Sequence, residues 1–216
     1  MTAHLKFAEA LSQSLASKRT SLSLGAQRPW AAPNDEDRHS LIVRSGLLAL
    51  HRSLAADQRR LVALRYPGDI VSQGEKGLAV TALVHSEIEF TSAGDLLATV
   101  ENDSELRRGF DRSINRSQLI AYEWLTRDAM DSNSRLAHFL CEHHIRLGLS
   151  DGEPLPLDMT QVQLAEITAQ TAVNVNRVLG NFVKQGLLSL VGKRTYKVDW
   201  PELHRWGRYD PAYLTF

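Results

Sequence analysis

The chain has 216 residues, of which 43% are hydrophobic and 23% are charged, and its 25 basic side chains balance 25 acidic ones. This composition is typical of a globular protein with one large or two modest domains, and no apolar run approaches the length of a membrane span. The single cysteine, Cys141, excludes an intramolecular disulfide and a cysteine-held cluster, and the start of the chain lacks an export pattern, so we expect a cytoplasmic protein.

The opening segment, 1–39, predicts an N-terminal helix and an irregular link. Positions 3–16 have weak helical periodicity, with Leu5, Ala8, Leu11 and Leu15 on one side. Positions 17–37 are rich in Ser, Pro, Asn and charge, which favours an irregular segment with Trp30 as its anchor.

Residues 40–103 predict a β-rich domain. Strand candidates cover residues 41–43, 47–51, 60–66 and 77–90, with turns at 45–46, 55–57 and 67–69. Short strands at this spacing are typical of a small barrel or roll, although the sequence leaves open whether the roll is complete.

Residues 104–130 predict a long helix that is apolar on two sides. One side of the helix carries a main apolar stripe, and this stripe is widened by Leu119, Ile120, Tyr122 and Leu125. Both sides must be covered, and an ordinary core helix of a monomer is one solution. The main stripe consists of Leu106, Phe110, Ile114, Ser117, Ala121 and Trp124.

A further helix is expected over residues 133–147. His138, Cys141 and Glu142 share a face at helical spacing, so a metal site is conceivable. We favour the simpler interpretation, in which Cys141 packs as a small hydrophobe and His143-His144 face solvent. No metal is therefore predicted, and residues 147–156, with two Gly and two Pro, form a link.

Residues 160–186 predict a helix-turn-helix, whose second helix normally lies in the DNA major groove. Thr160 and Thr171 can cap the two helices, and Gly186 suits the end of the second. Ala165 lets the helices cross closely. The apolar positions that face each other are Leu164, Ile167, Val175 and Val178.

The start of the second helix carries side chains suited to bases. Asn pairs well with adenine, Arg with guanine, and Ala or Val with a thymine methyl group. After it, residues 187–191 and 194–198 predict a hairpin with its turn at Gly192-Lys193, which is a wing placed to touch phosphates. The predicted DNA-binding residues are Thr160, Gln161, Thr171, Ala172, Val173, Asn174, Asn176, Arg177, Asn181, Lys184, Lys193 and Arg194.

Charge and the C-terminal tail agree with this interpretation. Residues 160–198 contain five Lys and Arg against one acidic residue, although the chain is neutral as a whole. The tail predicts a short helix over residues 200–206, opened by Pro201. Tyr209, Tyr213 and Phe216 are expected to cover the winged helix from behind.

Several of these segments resemble the Crp/Fnr transcription regulators, in the subgroup without iron–sulfur cysteines. The resemblance rests on Arg135-Leu-Ala-His-Phe-Leu140, residues 157–186 with Val-Asn-Val-Asn-Arg at 173–177, the wing, and Asp210-Pro-Ala-Tyr-Leu214. It implies an α+β fold with an N-terminal β-roll of the cyclic-nucleotide-binding type (40–103), a dimerisation helix (104–130) and a winged helix-turn-helix (131–216). It also implies that the main stripe of the long helix faces a second subunit.

Two regions depart from the family pattern, the nucleotide pocket and the turn of the helix-turn-helix. The Gly-Glu pair of nucleotide-binding members falls on Ser72 and Gln73 here, and no Arg occurs between Arg65 and Arg107. Because a buried phosphate needs a cationic partner, this is evidence against cyclic AMP, although Lys76 could substitute. In the helix-turn-helix, Ala169 stands where the family usually has Gly. Either the turn bends differently here, or the alanine adopts a positive φ at a cost of about 1 kcal/mol.

The sequence therefore predicts a dimeric, sequence-specific regulator that binds a palindromic site on double-stranded DNA, with an effector other than cyclic AMP or none. RNA polymerase is a candidate further partner. The alternative is a ligand- or protein-binding module whose winged helix docks a protein. An enzyme is the remotest class, because no metalloprotease helix, nucleophile elbow, phosphate loop or dinucleotide fingerprint occurs.

Overall fold

A computed structural model of the protein describes residues 3–32, 38–54, 59–72 and 78–214. The chain divides into an N-terminal unit, residues 1–117, and a C-terminal unit, residues 118–216. The predicted turn at 55–57 and the pocket positions from Gln73 to Lys76 lie outside the described residues, as does Phe216. No helix in the described ranges is both long and apolar enough to cross a membrane.

In the described part of the N-terminal unit, eight strands form two antiparallel four-stranded sheets. One sheet has the order β1-β8-β3-β6 and the other the order β2-β7-β4-β5. The strands are β1 (Thr20–Leu24), β2 (Pro29–Trp30), β3 (His39–Ser45), β4 (Leu48–Ser53), β5 (Arg59–Arg65), β6 (Ile70–Ser72), β7 (Leu78–Ala82) and β8 (Ser86–Ser92).

The two sheets share one apolar core. Alternate residues of a strand point to the same face, so Leu41 and Val43 of β3 meet Leu48 and Leu50 of β4 in this core. Trp30 is only 6% exposed and belongs to the same core, which confirms its predicted anchoring role. The predicted β-roll is therefore present.

The strands of the N-terminal unit correct two predictions. The segment 17–37, expected to be irregular, contains β1 and β2, so each sheet has four strands. The pattern hid β1 because it is an edge strand in which only Leu24 is buried. The single strand expected over residues 77–90 is two strands, β7 and β8, separated by a bend at 83–85.

Three helices pack on the far side of β3. They are α1 (Ala3–Ser14), α2 (Ala93–Glu101), which was not predicted, and the start of α3 (Ser104–Arg127). Ile42 alternates with Leu41 and Val43 and faces these helices, among side chains that include Phe7 and Leu106. Gly109 lets α3 approach α1 closely, since a Cβ there would lie 2.2 Å from the Phe7 ring.

This packing divides the predicted dimer stripe of α3. Leu106 is 5% exposed and Phe110 packs against the same cluster, so both side chains serve the N-terminal unit's own core. Ser117 and Trp124 are half-buried, and only Ile114 and Ala121 of the six are exposed. The six predicted residues therefore do not form one free face.

The C-terminal unit is a winged helix built around α4 (Ser132–Leu147). Its small sheet has the order β10-β11-β9. The remaining elements are β9 (Leu155–Pro156), α5 (Gln161–Ile167), α6 (Ala172–Lys184), β10 (Leu188–Gly192), β11 (Thr195–Val198), α7 (Trp200–Gly207) and a final 3-10 turn (Pro211–Leu214).

Helix α4 is buried far more completely than its sequence suggests. His143 and His144, expected to face solvent, are both 4% exposed, and that prediction was wrong. The imidazole of His143 donates to the Pro156 carbonyl at 3.2 Å, and the ring of His144 stacks on Trp200 with centroids 3.9 Å apart. These partners lie outside α4, so helical periodicity could not reveal them.

The face shared by His138, Cys141 and Glu142 is structural. His138 bonds to the Gly207 carbonyl and the Tyr213 hydroxyl, and burial lowers its pKa. Cys141 is buried, as predicted, and burial raises the pKa of its thiol. No group of three or more potential metal ligands occurs in the part of the chain that the structure describes.

Glu142 is a buried carboxylate that several donors satisfy. It accepts hydrogen bonds from Arg146 at 2.8 Å, from the Trp124 indole at 3.0 Å and from the Tyr213 hydroxyl at 3.2 Å. Burial alone would raise its pKa, but the charges of Arg146 and Arg127, together with the hydrogen bonds from Arg146 and Trp124, outweigh burial and hold the pKa below the ordinary value. The Glu142 carboxylate is therefore charged in the folded protein.

Candidate nucleic-acid interface

Helix α5 begins with a complete capping box. The Thr160 hydroxyl accepts from the backbone N–H of Gln163 at 3.2 Å, and Gln163 Oε1 accepts from the backbone N–H of Thr160 at 2.6 Å. Two of the otherwise unpaired N–H groups at this end are thereby satisfied. Thr160 and Gln161 are exposed next to the capped end.

The sequence left two forms open for the turn between α5 and α6, a rearranged turn and a strained one with positive φ at Ala169. The structure has the strained form. Ala169 has φ 49°, in the left-handed region that favours glycine. Arg135 stabilises the turn by donating to the carbonyls of Thr168 at 3.2 Å and Ala169 at 3.0 Å. Arg127, at the end of α3, donates to the carbonyl of Ile167 at 3.0 Å.

Helix α6 is capped at one end and buried on one face. The Thr171 hydroxyl accepts from the backbone N–H of Asn174 at 3.2 Å. Val175, Val178 and Phe182 are fully buried, and they recur at the spacing of one helical face. Gly186 has φ 78° just beyond the helix, as predicted from its position.

The opposite face of α6 is open. By the 3.6-residue period, Val173, Asn176, Arg177 and Lys184 lie within about a third of the helix circumference. All four are exposed, and Val173 is 82% exposed. Ala172 is half-buried at the first position of the helix. An apolar, an amide and a guanidinium group are thus presented together near the helix N-terminus, which is the set that base edges in a major groove require.

The amide of Asn176 is oriented by the first helix. Gln161 Nε2 donates to Asn176 Oδ1 at 2.9 Å, so the Asn176 NH₂ group is left pointing away from α5. The sequence predicts that both residues belong to the interface but does not indicate that they pair. They lie on different helices, so no local pattern signals this contact.

Asn174 differs from its predicted neighbours in the interface. It is half-buried on the flank of α6 rather than on the open face. Its NH₂ group donates to Ser132 Oγ at 2.8 Å and to Gln170 Oε1 at 2.9 Å. Its oxygen accepts from Arg177 at 2.7 Å and 3.2 Å. Ser132 and Gln170 were not among the predicted site residues.

The wing carries its turn one residue later than predicted. The turn residues are Lys193 and Arg194, and Arg194 has φ 55°. Both side chains are exposed, and Arg194 Nη1 also donates to the Asp158 carbonyl at 3.2 Å. The wing tip thus keeps its two cationic groups beside the end of β9.

The remaining predicted positions add little to the open face. Asn181 is half-buried on α6.

On α3, the most exposed apolar side chains are Tyr122, at 63%, and Leu125, at 71%, which the sequence assigned to the widening of the stripe. The two most exposed of these side chains therefore lie near the C-terminal end of α3, and Ile114, at 43%, is exposed closer to its middle.

Comparison with known proteins gives a consistent result for the C-terminal unit and for the fold. Residues 134–206 match the model of the Crp-like helix-turn-helix domain. A search of curated protein sequences finds no match to this chain.

Solved structures match over most of the chain. FixK2 from Bradyrhizobium japonicum is 20% identical, with a TM-score of 0.75 over 87% of this chain and 96% of that one. A mutant of CooA from Carboxydothermus hydrogenoformans is also 20% identical, with a TM-score of 0.71 over 89% of each chain. A cyclic nucleotide-binding domain containing protein from Listeria monocytogenes EGD-e is 15% identical, with a TM-score of 0.70 over 91% of this chain and 97% of that one. At these identities the matches establish a common fold.

Proposed function

The chain carries a Crp-like helix-turn-helix domain on the fold of the Crp/Fnr transcription regulators, and from that premise we propose that it acts as a dimer on a palindromic DNA site. Each subunit would place α6 in the major groove and the wing tip against the adjacent phosphates. Proteins of this type regulate transcription and are not enzymes, and RNA polymerase is the proposed partner for the regulatory output.

The open face of α6 is the observation that carries this proposal. Val173, Asn176 and Arg177 are exposed together on a helix that is capped at Thr171 and buried along its other face. A base-reading helix needs side chains held in fixed positions, because each correct contact is worth only about 1–3 kcal/mol. The excess of basic residues over residues 160–198 supplies the sequence-independent attraction.

A dimer is proposed from the geometry of such sites. The 13 residues of α6 give a length of about 20 Å, which spans one major groove. Two copies would occupy half-sites about 34 Å apart, one helical turn of the duplex. The exposed Tyr122 and Leu125 of α3 supply apolar surface for the contact between the two copies.

Selection of bound duplexes from a random pool tests this function directly. We expect a palindromic consensus with half-sites one turn apart, and a footprint of two successive grooves. Arg177→Ala should relax the preference at one base pair of each half-site and leave the others intact. Arg107→Ala, at an exposed arginine of the N-terminal unit, is the matched control and should change nothing. Failure to retain any duplex at low salt would overturn the proposal.

For the β-roll we propose an effector other than cyclic AMP, or none. The support is the sequence between Arg65 and Arg107, which offers no arginine for a cyclic phosphate. A thermal-shift screen of cyclic nucleotides against the full chain tests this. A concentration-dependent stabilisation by cyclic AMP, abolished by Lys76→Ala, would contradict it.

A second function is favoured by one feature of the wing. Leu190 and Val191 of β10 are exposed apolar side chains, and a winged helix that docks a protein would use such a surface. Charge reversal at Lys193 separates the two functions. DNA binding should weaken with a shallower salt dependence, whereas docking of a protein through the apolar strand would be unaffected.

A further inference from the structure

Arg177 is held at one end of a chain of hydrogen bonds that leads back to α4. The chain begins at the Ser132 carbonyl, which accepts from Gln170 Nε2 at 3.0 Å. Gln170 Oε1 accepts from Asn174 Nδ2 at 2.9 Å, and the same NH₂ group donates to Ser132 Oγ at 2.8 Å. Asn174 Oδ1 then accepts from Arg177.

The first bond fixes the direction of all the others. A backbone carbonyl only accepts, so the Gln170 atom that faces Ser132 must be the NH₂ group. The other side of that amide is then an acceptor, which requires the NH₂ group of Asn174 to face it. The oxygen of Asn174 is left to face Arg177, whose guanidinium only donates. Neither amide can reverse without creating an unfavourable contact.

This arrangement leaves a defined part of the guanidinium free. Arg177 uses Nε and Nη2 on Asn174, with distances of 3.2 Å and 2.7 Å. The edge formed by Nη1 and the outer hydrogen of Nη2 still offers two parallel donors. Two donors on one edge match the O6 and N7 acceptors of guanine in the major groove.

We propose that Asn174 is a positioning residue, anchored by Gln170 and Ser132, that presents Arg177 to one base pair without itself contacting a base. This inference rests on the proposed function of α6 and adds the residues that set its specificity. The chain of bonds restricts the long arginine side chain before DNA arrives, which lowers the entropy lost on binding. Specificity at that base pair thus depends partly on α4, outside the helix-turn-helix.

A double-mutant cycle over Asn174 and Arg177 tests the proposal, with discrimination between the preferred and substituted base pair as the measured quantity. Asn174→Ala should reduce discrimination at the base pair read by Arg177 by roughly three- to tenfold. In the Arg177→Ala background the same change should have less than about a twofold effect, because there is no guanidinium left to position. The dependence of binding on salt should stay the same in Asn174→Ala.

Two further variants locate the anchor. Gln170→Ala removes one of the two bonds that anchor Asn174 and leaves its bond to Ser132 Oγ, so it should reproduce part of the loss at the same base pair. Asn176→Ala deletes an amide from the same helix and is the matched control. It should change preference at a different base pair and add independently to Arg177→Ala. Thermal unfolding of each variant is the check that the domain still folds.

The outcomes separate this inference from the function on which it rests. If Arg177→Ala and Asn176→Ala both leave all base preferences unchanged, the proposed reading role of α6 fails. If only Arg177→Ala leaves them unchanged, α6 still reads bases and the inference about Asn174 and Arg177 is wrong. If Arg177→Ala relaxes one position while Asn174→Ala has no effect there, only the positioning role is wrong. An equal loss on every duplex in Asn174→Ala would make Asn174 a phosphate contact and would also overturn the inference.

Discussion

Ala169 is a strained residue at a functional turn. Its φ of 49° costs an alanine roughly 1–2 kcal/mol, and Arg135 holds the conformation by donating to the two adjacent carbonyls. The sequence identifies the position, because a helix-turn-helix usually requires a positive φ there. It does not decide between a strained turn and a rearranged one, because the bonds from Arg135 come from a different helix.

Ala169→Gly should therefore stabilise the C-terminal unit. Glycine relieves the strain but adds freedom to the unfolded chain, so the expected net gain in the free energy of unfolding is about 0.5 kcal/mol. Denaturant unfolding measures it. Ala172→Gly, at the start of α6, should lower the same quantity. A loss of stability in Ala169→Gly would mean that the turn has an unstrained form in solution.

His143 makes stability depend on pH. Burial lowers its pKa from 6.5 to about 4. As the pH falls from 6.5 to about 4, the unfolded chain binds a proton that the folded protein does not, so stability is present above this window and is lost within it, by up to about 3 kcal/mol. Burial also lowers the pKa of His138 and His144, which adds in the same direction.

His143→Gln is the matched variant for this prediction, because glutamine can still donate to the Pro156 carbonyl but does not titrate. Chemical unfolding between pH 7 and pH 4 should show a flatter dependence in the variant than in the parent. Equal slopes would show that His143 is accessible to protons in the folded protein.

At the scale of elements, two glycines in and just after α6 differ in whether their backbone conformation favours glycine. Gly180 lies inside the helix, and an added Cβ would meet no atom within 4 Å. Gly186 also has open space, but its φ is 78°. The same substitution should therefore have opposite effects at the two positions.

Gly180→Ala should raise the free energy of unfolding by about 0.5–1 kcal/mol, since glycine is a poor helix residue. Gly186→Ala should lower it by about 1 kcal/mol, since alanine is strained at positive φ. Both are measured without DNA, because Gly180 lies on the open face of α6. Stabilisation by both changes would refute the assignment of Gly186 to the left-handed region.

The elements that the sequence predicts well are those with local signals. The two caps, the helical spacing of buried residues and the glycine after α6 all lie between Thr160 and Gly186, and they predict the helix-turn-helix. By contrast, β1 has one buried residue and is held in its sheet by backbone pairing with β8, which is remote in sequence. The bonds from Ser132 to Gln170 and Asn174 are also remote in sequence, so no local pattern could reveal them.

At the scale of the whole molecule, the proposed dimer depends on the exposed part of α3. Leu125→Glu places a charge on a side chain that is 71% exposed, so the folded subunit should tolerate it. A dimer that buries Leu125 should dissociate, because an unpaired buried carboxylate is unfavourable. Sedimentation or light scattering measures the mass, and binding to the full palindrome should weaken more than binding to a half-site.

Leu97→Glu is the control for this test. Leu97 is 48% exposed on α2, in the N-terminal unit, and is not part of the proposed contact. The change should leave both the mass and the DNA affinity unaltered. A Leu125→Glu protein that keeps the mass of the parent would refute the role proposed for this part of α3.

The bond from Arg127 to the Ile167 carbonyl connects the long helix α3 directly to the helix-turn-helix. Arg127 is almost fully buried beside Glu142 and Trp124. It is the last residue of α3, and Ile167, whose carbonyl it contacts, is the last residue of α5. Losing a charge partner in such a buried region is costly, so Glu142 helps to hold the Arg127 guanidinium in place. Because the same buried guanidinium also donates to the Ile167 carbonyl, the last turn of α3 is tied to the end of α5, next to the turn that precedes the base-reading helix.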